Sequence, residues 1–249
     1  MKTRRLEEME HLINEQGSAT MEELRDAFGV SINTVRRDVA ELVEAGRAEK
    51  VYGGVRAIGR AGLVPYEERF AVTSAAKEAI CAKAASLVRS GDIVYIDSGT
   101  TTVHLMDALR DKTITVITNN IEIILRALEA PNIRLIVLPG ELNRNTRSIT
   151  GDASADFLSR FNTNIAFMAA TGVSHSGVSN SSPLEYAIKK TAVAHTDQAV
   201  LMVTGNKFGV TSLMTYADLN AFRQIITDPG IPEEWLVQLE ESGLEMVVV

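Results

Sequence analysis

Ser31-Ile32-Asn33-Thr34-Val35-Arg36-Arg37-Asp38-Val39-Ala40-Glu41-Leu42 is the stretch on which the reading of this chain turns. Ile32, Val35, Val39 and Leu42 recur at spacings of three and four, which places them on one side of a helix, while Asn33, Thr34, Arg36 and Arg37 point elsewhere. Ser31 carries the hydroxyl that an N-cap requires. Such a helix is either an ordinary solvated amphipathic element or one that sets its first turn into the major groove of DNA. There, short polar side chains and arginines reach base edges and phosphates.

The flanking residues favour the groove. Leu6, Met9, Leu12 and Ile13 mark a first helix over 3–16, and Gly17-Ser18-Ala19-Thr20 breaks the pattern. Met21 to Phe28, with Leu24, Ala27 and Phe28 apolar, suits a second helix, and Thr20 with Glu23 has capping-box spacing. Phe28-Gly29-Val30 then makes a tight turn in which Gly29 can take a positive φ. Helix, helix, glycine turn, helix is the helix-turn-helix order. After Gly46, Ala48 to Arg56 reads as a β-hairpin turning at Gly53-Gly54, which is a wing or simply a cover for the helices. The expected DNA-binding set is Ser31, Asn33, Thr34, Arg36, Arg37, Lys50, Tyr52 and Arg56, with Arg47 and Arg60 adding positive charge.

The chain of 249 residues has a formal net charge of -7, which does not oppose this reading because phosphate binding depends on where the cations sit. So modest a patch needs two or more copies on one site, hence a homo-oligomer, dimer or tetramer. The single cysteine, Cys81, excludes an internal disulfide framework and lies among alanines as a small core residue. No apolar stretch is long enough to span a membrane and no apolar signal segment follows Met1-Lys2-Thr3-Arg4-Arg5, so a cytoplasmic protein with no membrane partner is expected. His11, His104, His175 and His195 are isolated, so neither a metal site nor a cofactor is expected.

Gly59, Gly62 and Pro65 interrupt the periodicity, which divides the chain into a winged helix-turn-helix domain over 1–57, a linker over 58–74 and a second domain over 75–249. In the latter, apolar runs at 93–96, 114–117, 133–138, 165–168, 199–203, 224–227 and 246–249 alternate with helical intervals. That alternation predicts an α/β domain with a mostly parallel sheet covered on both faces. Ligands of such sheets bind beyond the carboxyl ends of the strands. The polar residues gather at those ends: Asp97, Ser98, Gly99, Thr100, Thr101 and Thr102 after the first strand, Asn119 and Asn120 after the second, Gly140 and Glu141 after the third, then Gly172, and Lys207. Hydroxyls and amides around a glycine at a helix start, with a lysine nearby, fit an anion; simple N-capping is the alternative for the loop by itself.

Ser31 to Asp38 with Tyr52-Gly53-Gly54, and Asp97-Ser98-Gly99-Thr100-Thr101-Thr102 with Thr118-Asn119-Asn120, together resemble the DeoR family of bacterial repressors of sugar and polyol catabolic operons. Pro139-Gly140-Glu141-Leu142, Thr150-Gly151, Lys207-Phe208-Gly209 and Ile226-Thr227-Asp228 extend the likeness over nearly the whole chain. The resemblance implies a sensor domain similar to ribose-phosphate isomerases, double-stranded operator DNA as partner, and relief of repression by a phosphorylated sugar or polyol intermediate. Two departures stand out. Thr204-Gly205-Asn206-Lys207 lacks the aspartate and serine usual before the sensor lysine, and Ala169-Ala170-Thr171-Gly172 lacks a glycine-aspartate pair. Both remove a carboxylate, which shifts the expected effector and speaks against proton shuttling between sugar carbons. The rival expectation is a sugar-phosphate isomerase with an accessory DNA-binding domain, in which Asp97 and Glu141 would act; a regulator without catalytic residues is the reading preferred.

Overall fold

The computed structural model describes residues 2–16, 18–45, 47–51, 54–57, 70 and 75–249. In the N-terminal part, α1 (Lys2–Gln16), α2 (Met21–Phe28) and α3 (Ile32–Glu44) pack around Met9, Ile13, Leu24, Val35, Val39 and Leu42. The expected caps are present. The Thr20 hydroxyl accepts the Glu23 N–H at 3.1 Å while Glu23 accepts the Thr20 N–H at 2.7 Å, and Gly29 closes α2 at φ 60. Ser31 Oγ accepts the Thr34 N–H at 3.2 Å and opens α3. Asp38, on the inner face of α3, is 1% exposed and takes both arms of Arg5, at 2.7 and 3.2 Å, which fixes α1 against α3.

The hairpin forms from β2 (Ala48–Val51) and β3 (Gly54–Ala57); its turn residues Tyr52 and Gly53 lie outside the described set. Ser18-Ala19-Thr20, expected only to break the helical pattern, instead forms β1 (Ser18–Thr20), antiparallel to β3, giving the sheet order β1-β3-β2. Gly54 is required here because a Cβ would stand 2.4 Å from the Ala19 carbonyl oxygen. Apart from Phe70, the expected linker lies outside the described residues.

The C-terminal part is built on a seven-stranded sheet in which every strand pair is parallel. Its strands are β4 (Ile93–Ile96), β5 (Ile114–Thr118), β6 (Ile133–Val137), β9 (Thr163–Met168), β12 (Thr196–Met202), β14 (Gln224–Thr227) and β15 (Glu245–Val248), in the order β15-β14-β12-β9-β4-β5-β6. Alternate residues feed two cores. Val94, Ile96, Val116, Phe167 and Met202 face α4 (Ala75–Ala85), α5 (Leu105–Leu109) and α6 (Ile121–Ala127). Tyr95, Ile117, Ala166, Met168 and Leu201 face α7 (Asp152–Leu158), α8 (Pro183–Ala194) and α9 (Glu233–Ser242). Burial on both faces is why these strands are continuous apolar runs and not alternating ones.

From β4 the chain moves outward through β5 to β6, then returns to β9 on the other side and continues outward through β12, β14 and β15. The boundary between β4 and β9, where Ile96 lies beside Phe167, is the topological switch point at which open α/β sheets form their crevice. Short antiparallel pieces surround that end: the hairpin β7 (Glu141–Asn143) with β8 (Ser148–Thr150), and the three-stranded β10 (Gly172–Ser174), β11 (Gly177–Asn180) and β13 (Met214–Ala217).

Candidate functional site

On α3 the residues expected to meet DNA stand on the outer face. Ser31, Asn33, Arg36 and Arg37 are exposed and Thr34 is half-buried, opposite the buried Val35, Val39 and Leu42. Among the described residues neither Arg36 nor Arg37 is held in an ion pair, so both guanidinium groups are available to an outside anion. Ser31 and Thr34 spend part of their capacity on each other, their hydroxyls 2.9 Å apart. Lys50 is exposed on the wing. Arg47 is instead tied to Glu10 of α1 and adds little free charge. Tyr52 and Arg60 lie outside the described residues, and Arg56 is placed only by its backbone, opposite Ser18 and Glu49.

At the switch point the loop Asp97 to Thr102 follows β4. The expected helix start is present, as a 3-10 turn (Thr102–His104) that runs directly into α5. The loop itself is locked. The Gly99 N–H donates to the Asp97 carbonyl at 3.0 Å, the Thr102 hydroxyl donates to the carbonyls of Asp97 and Gly99 at 2.7 and 2.9 Å, and a Cβ on Gly99 would meet the Ala169 Cβ at 2.4 Å. Glycine is needed here for close approach between the two switch-point loops, not for freedom.

Asp97 is the bolt between those loops. Its Oδ2 accepts the Ala169 N–H at 2.9 Å and pairs with Lys189 of α8, while its Oδ1 is buried without a partner. Lys189, 2% exposed, also donates to the Ala169 carbonyl at 3.3 Å and lies 5.6 Å from the Tyr216 ring centroid. One turn earlier on the same helix, Glu185 accepts hydrogen bonds from Ser98 Oγ at 2.6 Å, Ser148 Oγ at 2.8 Å and Asn180 Nδ2 at 3.4 Å. Lys77 of α4, 7% exposed, brings its Nζ to 3.5 Å from Thr100 Oγ1. Burial first, with Asp97 adding, raises the Tyr95 and Tyr216 phenols well above their ordinary value, so both remain protonated donors, to Asn119 Oδ1 at 3.2 Å and to the Ala169 carbonyl at 2.9 Å.

The other expected site residues separate into two groups. Asn119 and Asn120 are fully buried beside the loop. Asn119 acts as a pin, its Nδ2 donating to the Ile149 carbonyl at 3.0 Å, whereas Asn120 caps α6 through Oδ1 and leaves Nδ2 buried without a partner. Gly140 approaches the Thr150 carbonyl, 2.4 Å from a would-be Cβ, and seats the β7–β8 hairpin. Glu141 is exposed on β7. Gly172 is packed beneath Val210, and half-buried Lys207 follows β12, two strands away from β4 in the sheet. Lys77, Glu185 and Lys189 were not among the expected residues, yet among the described residues they are charged side chains that contact the loop, at Thr100, Ser98 and Asp97.

Among the described residues no three His, Cys, Asp or Glu side chains gather as a metal ion would need, and no helix is long and apolar enough to cross a membrane. A cavity of 770 Å³ lined by Trp235, Leu239, Phe222, Arg223, Asp197 and Gln198 lies at the opposite end of the sheet, where β12 and β14 begin. It is remote from the loop-borne donors, so size alone does not locate the chemistry.

An outward-facing pair of arginines on a helix-turn-helix, followed in the same chain by an α/β domain with donors converged on its switch point, defines a class: a transcriptional regulator carrying its own sensor domain. The description "DeoR C terminal sensor domain" matches residues 72–229 and "DeoR-like helix-turn-helix domain" matches residues 5–61. The chain belongs to the DeoR family of transcriptional regulators, whose members are not enzymes. It is 40% identical over 246 residues to the HTH-type transcriptional regulator IolR of Bacillus subtilis, covering 98% of each chain. It is 27% identical over 241 residues to the glycerol-3-phosphate regulon repressor of Escherichia coli, covering 94% of each, and 30% identical over 231 residues to the lactose phosphotransferase system repressor of Streptococcus mutans, covering 91% of this chain and 92% of that one. Among solved structures, ribose 5-phosphate isomerase A of Methanocaldococcus jannaschii superposes with a TM-score of 0.38 at 18% identity, over 53% of each chain.

Proposed function

We propose that this protein represses a sugar or polyol catabolic operon and releases its DNA when a phosphorylated intermediate of that pathway enters the switch-point site. The observation that carries the reading is the hydroxyl loop Ser98 to Thr102, held at the β4–β9 boundary with the buried ammonium of Lys77 at 3.5 Å from Thr100 Oγ1. Hydroxyl and amide donors of such a loop add no negative charge, and a cation in a low-dielectric wall favours an anion over a neutral sugar. Asn120 Nδ2 offers a further donor to a ligand oxygen. Glu141, Gly140, Gly172 and Lys207 form the rim in this reading, and Asp97 orders the loops.

In the same reading residues 1–57 bind operator DNA, 58–74 link, and 75–249 sense the ligand in a cytoplasmic homo-oligomer. Asn33, Thr34, Arg36 and Arg37 read base edges, and Lys50, Tyr52 and Arg56 meet the backbone. Calorimetry with matched phosphorylated and unphosphorylated sugars, beside gel-shift titrations on the intergenic DNA flanking the gene, tests this. A phosphorylated compound should bind and lower DNA affinity, and equally tight binding of its unphosphorylated form would refute the phosphate site.

A further inference from the structure

Glu185 is 3% exposed, and the same oxygen, Oε1, accepts the hydroxyls of Ser98 and Ser148 at 2.6 and 2.8 Å, while Oε2 accepts Asn180 Nδ2 at 3.4 Å. Among the described residues no lysine or arginine pairs with it; Lys189, one turn on, is committed to Asp97. A buried carboxylate is thus satisfied by neutral donors alone, and these are the donors a phosphoryl oxygen needs. Asn120 Nδ2, whose backbone bridges to Ser148, is buried with no partner at all.

We infer that Glu185 is an internal competitor of the effector: in the free sensor domain its carboxylate holds the Ser98 and Ser148 hydroxyls, and an anionic ligand must displace it to reach them. This rests on the phosphate reading of the loop. Two anions cannot share one set of hydroxyls in a buried site, because their repulsion is weakly screened there. Ser98 lies on the switch-point loop and Ser148 on β8, so displacement of one carboxylate oxygen loosens both at once. The β7–β8 hairpin stays anchored by the Ile149 N–H to the Asn119 carbonyl at 2.8 Å, which confines the release to its Ser148 end. Ligand charge at the crevice is thereby converted into a change of position in a surface hairpin, the kind of two-state element through which a sensor acts.

The test uses the full chain and Glu185→Gln, which keeps size and one acceptor while removing the charge. Both proteins are titrated calorimetrically with inorganic phosphate, glycerol 3-phosphate and ribose 5-phosphate, and residues 141–150 of the parent are followed by amide hydrogen exchange with and without the ligand that binds. Glu185→Gln should bind the anion about tenfold more tightly or better, a change of about 1.4 kcal/mol, and ligand should speed exchange around Ser148 in the parent. Binding by the parent with equal or weaker binding by Glu185→Gln overturns the competitor role and leaves the phosphate reading standing. Unchanged exchange on saturation overturns the link to the hairpin, a result independent of whether the variant folds. Binding of none of the three probes by either protein defeats the phosphate reading and this inference with it.

Discussion

Lys189→Met keeps the length of the side chain and removes its charge, which exposes what the switch-point ion pair contributes. Lys189 is 2% exposed and Asp97 0%. After the substitution the Ala169 carbonyl keeps the Tyr216 hydroxyl at 2.9 Å, so the damage falls on Asp97. That carboxylate retains one donor, the Ala169 N–H at 2.9 Å, and its Oδ1 already has none. Removing one partner of a buried pair costs about 3–5 kcal/mol, a large share of a typical stability of about 5–15 kcal/mol. Asp97→Asn with Lys189→Met leaves no uncompensated charge and should recover about 2 kcal/mol or more relative to the sum of the single variants. Trp235 is the sole tryptophan and is 3% exposed, so urea titrations followed by its fluorescence report on the sensor domain itself. An unchanged m-value keeps the comparison within two states. A loss below about 1 kcal/mol for Lys189→Met, or strict additivity in the double variant, would refute the reasoning.

Arg36→Ala with Arg37→Ala should weaken operator binding in gel-shift titrations by about 1–3 kcal/mol for each lost base contact, or lower the salt dependence if the contacts are to phosphate. Thr100→Asp sets a carboxylate against the proposed anion position, and the variant should bind DNA normally while ignoring the inducing metabolite in the same titration. Gly99→Ala drives a methyl group to 2.4 Å from the Ala169 Cβ and should lower stability by about 1–3 kcal/mol in the fluorescence melt while weakening ligand binding. Burial, with Asp107 and Glu78 adding, pushes the Cys81 thiol up to about 12, so Ellman's reagent at pH 8 should leave the native protein unmodified and react only after denaturation.

The elements that were legible in the sequence are those whose signal is local. Thr20, Glu23, Gly29 and Ser31 announce their caps by residue type and spacing, and the structure has each of them. The seven parallel strands are apolar runs bounded by turn residues, and all seven form. The antiparallel pieces escaped notice because Ser18-Ala19-Thr20, Ser148-Ile149-Thr150 and Gly172-Val173-Ser174 are too short and polar to show a period. Only Ser18-Ala19-Thr20 depends on a distant partner, β3, whereas the other two pair across short hairpins with β7 and β11. The loop Ser98 to Thr102 stood out because hydroxyls crowd around a glycine just after a buried strand. Lys77, Glu185 and Lys189 did not, because a charged residue on a helix normally marks its wet face. A signal was nevertheless present. Glu185, Ile188, Lys189 and Ala192 follow the spacing of a buried stripe, as do Lys77, Ile80, Cys81 and Ala84, so each lysine or glutamate occupies a core position of its helix.

Charge placement in the crevice gives one departure from the family pattern, Ala169-Ala170-Thr171-Gly172, a physical meaning. Asp97, Glu185, Lys77 and Lys189 gather around the switch-point loop, Asp97 paired with Lys189, Lys77 beside Thr100 and Glu185 on the Ser98 hydroxyl. Ala169 contributes only backbone to this set, its N–H to Asp97 and its carbonyl to Lys189 and Tyr216, and its methyl group fits against Gly99. A carboxylate on the β9 loop would have added a third negative charge where Ala169-Ala170-Thr171-Gly172 adds none. On the proposed phosphate site, the loop therefore tolerates a more anionic ligand, and Glu185 is the residue that limits affinity. Affinity alone does not release DNA, since a ligand shifts a regulator only by its preference for one conformation, and DNA must weaken ligand binding by the same factor. In the proposed mechanism a carboxylate that yields its hydroxyls only to an anion supplies that preference, so neutral sugars should leave the Glu185 clasp closed and only a charged ligand should open it.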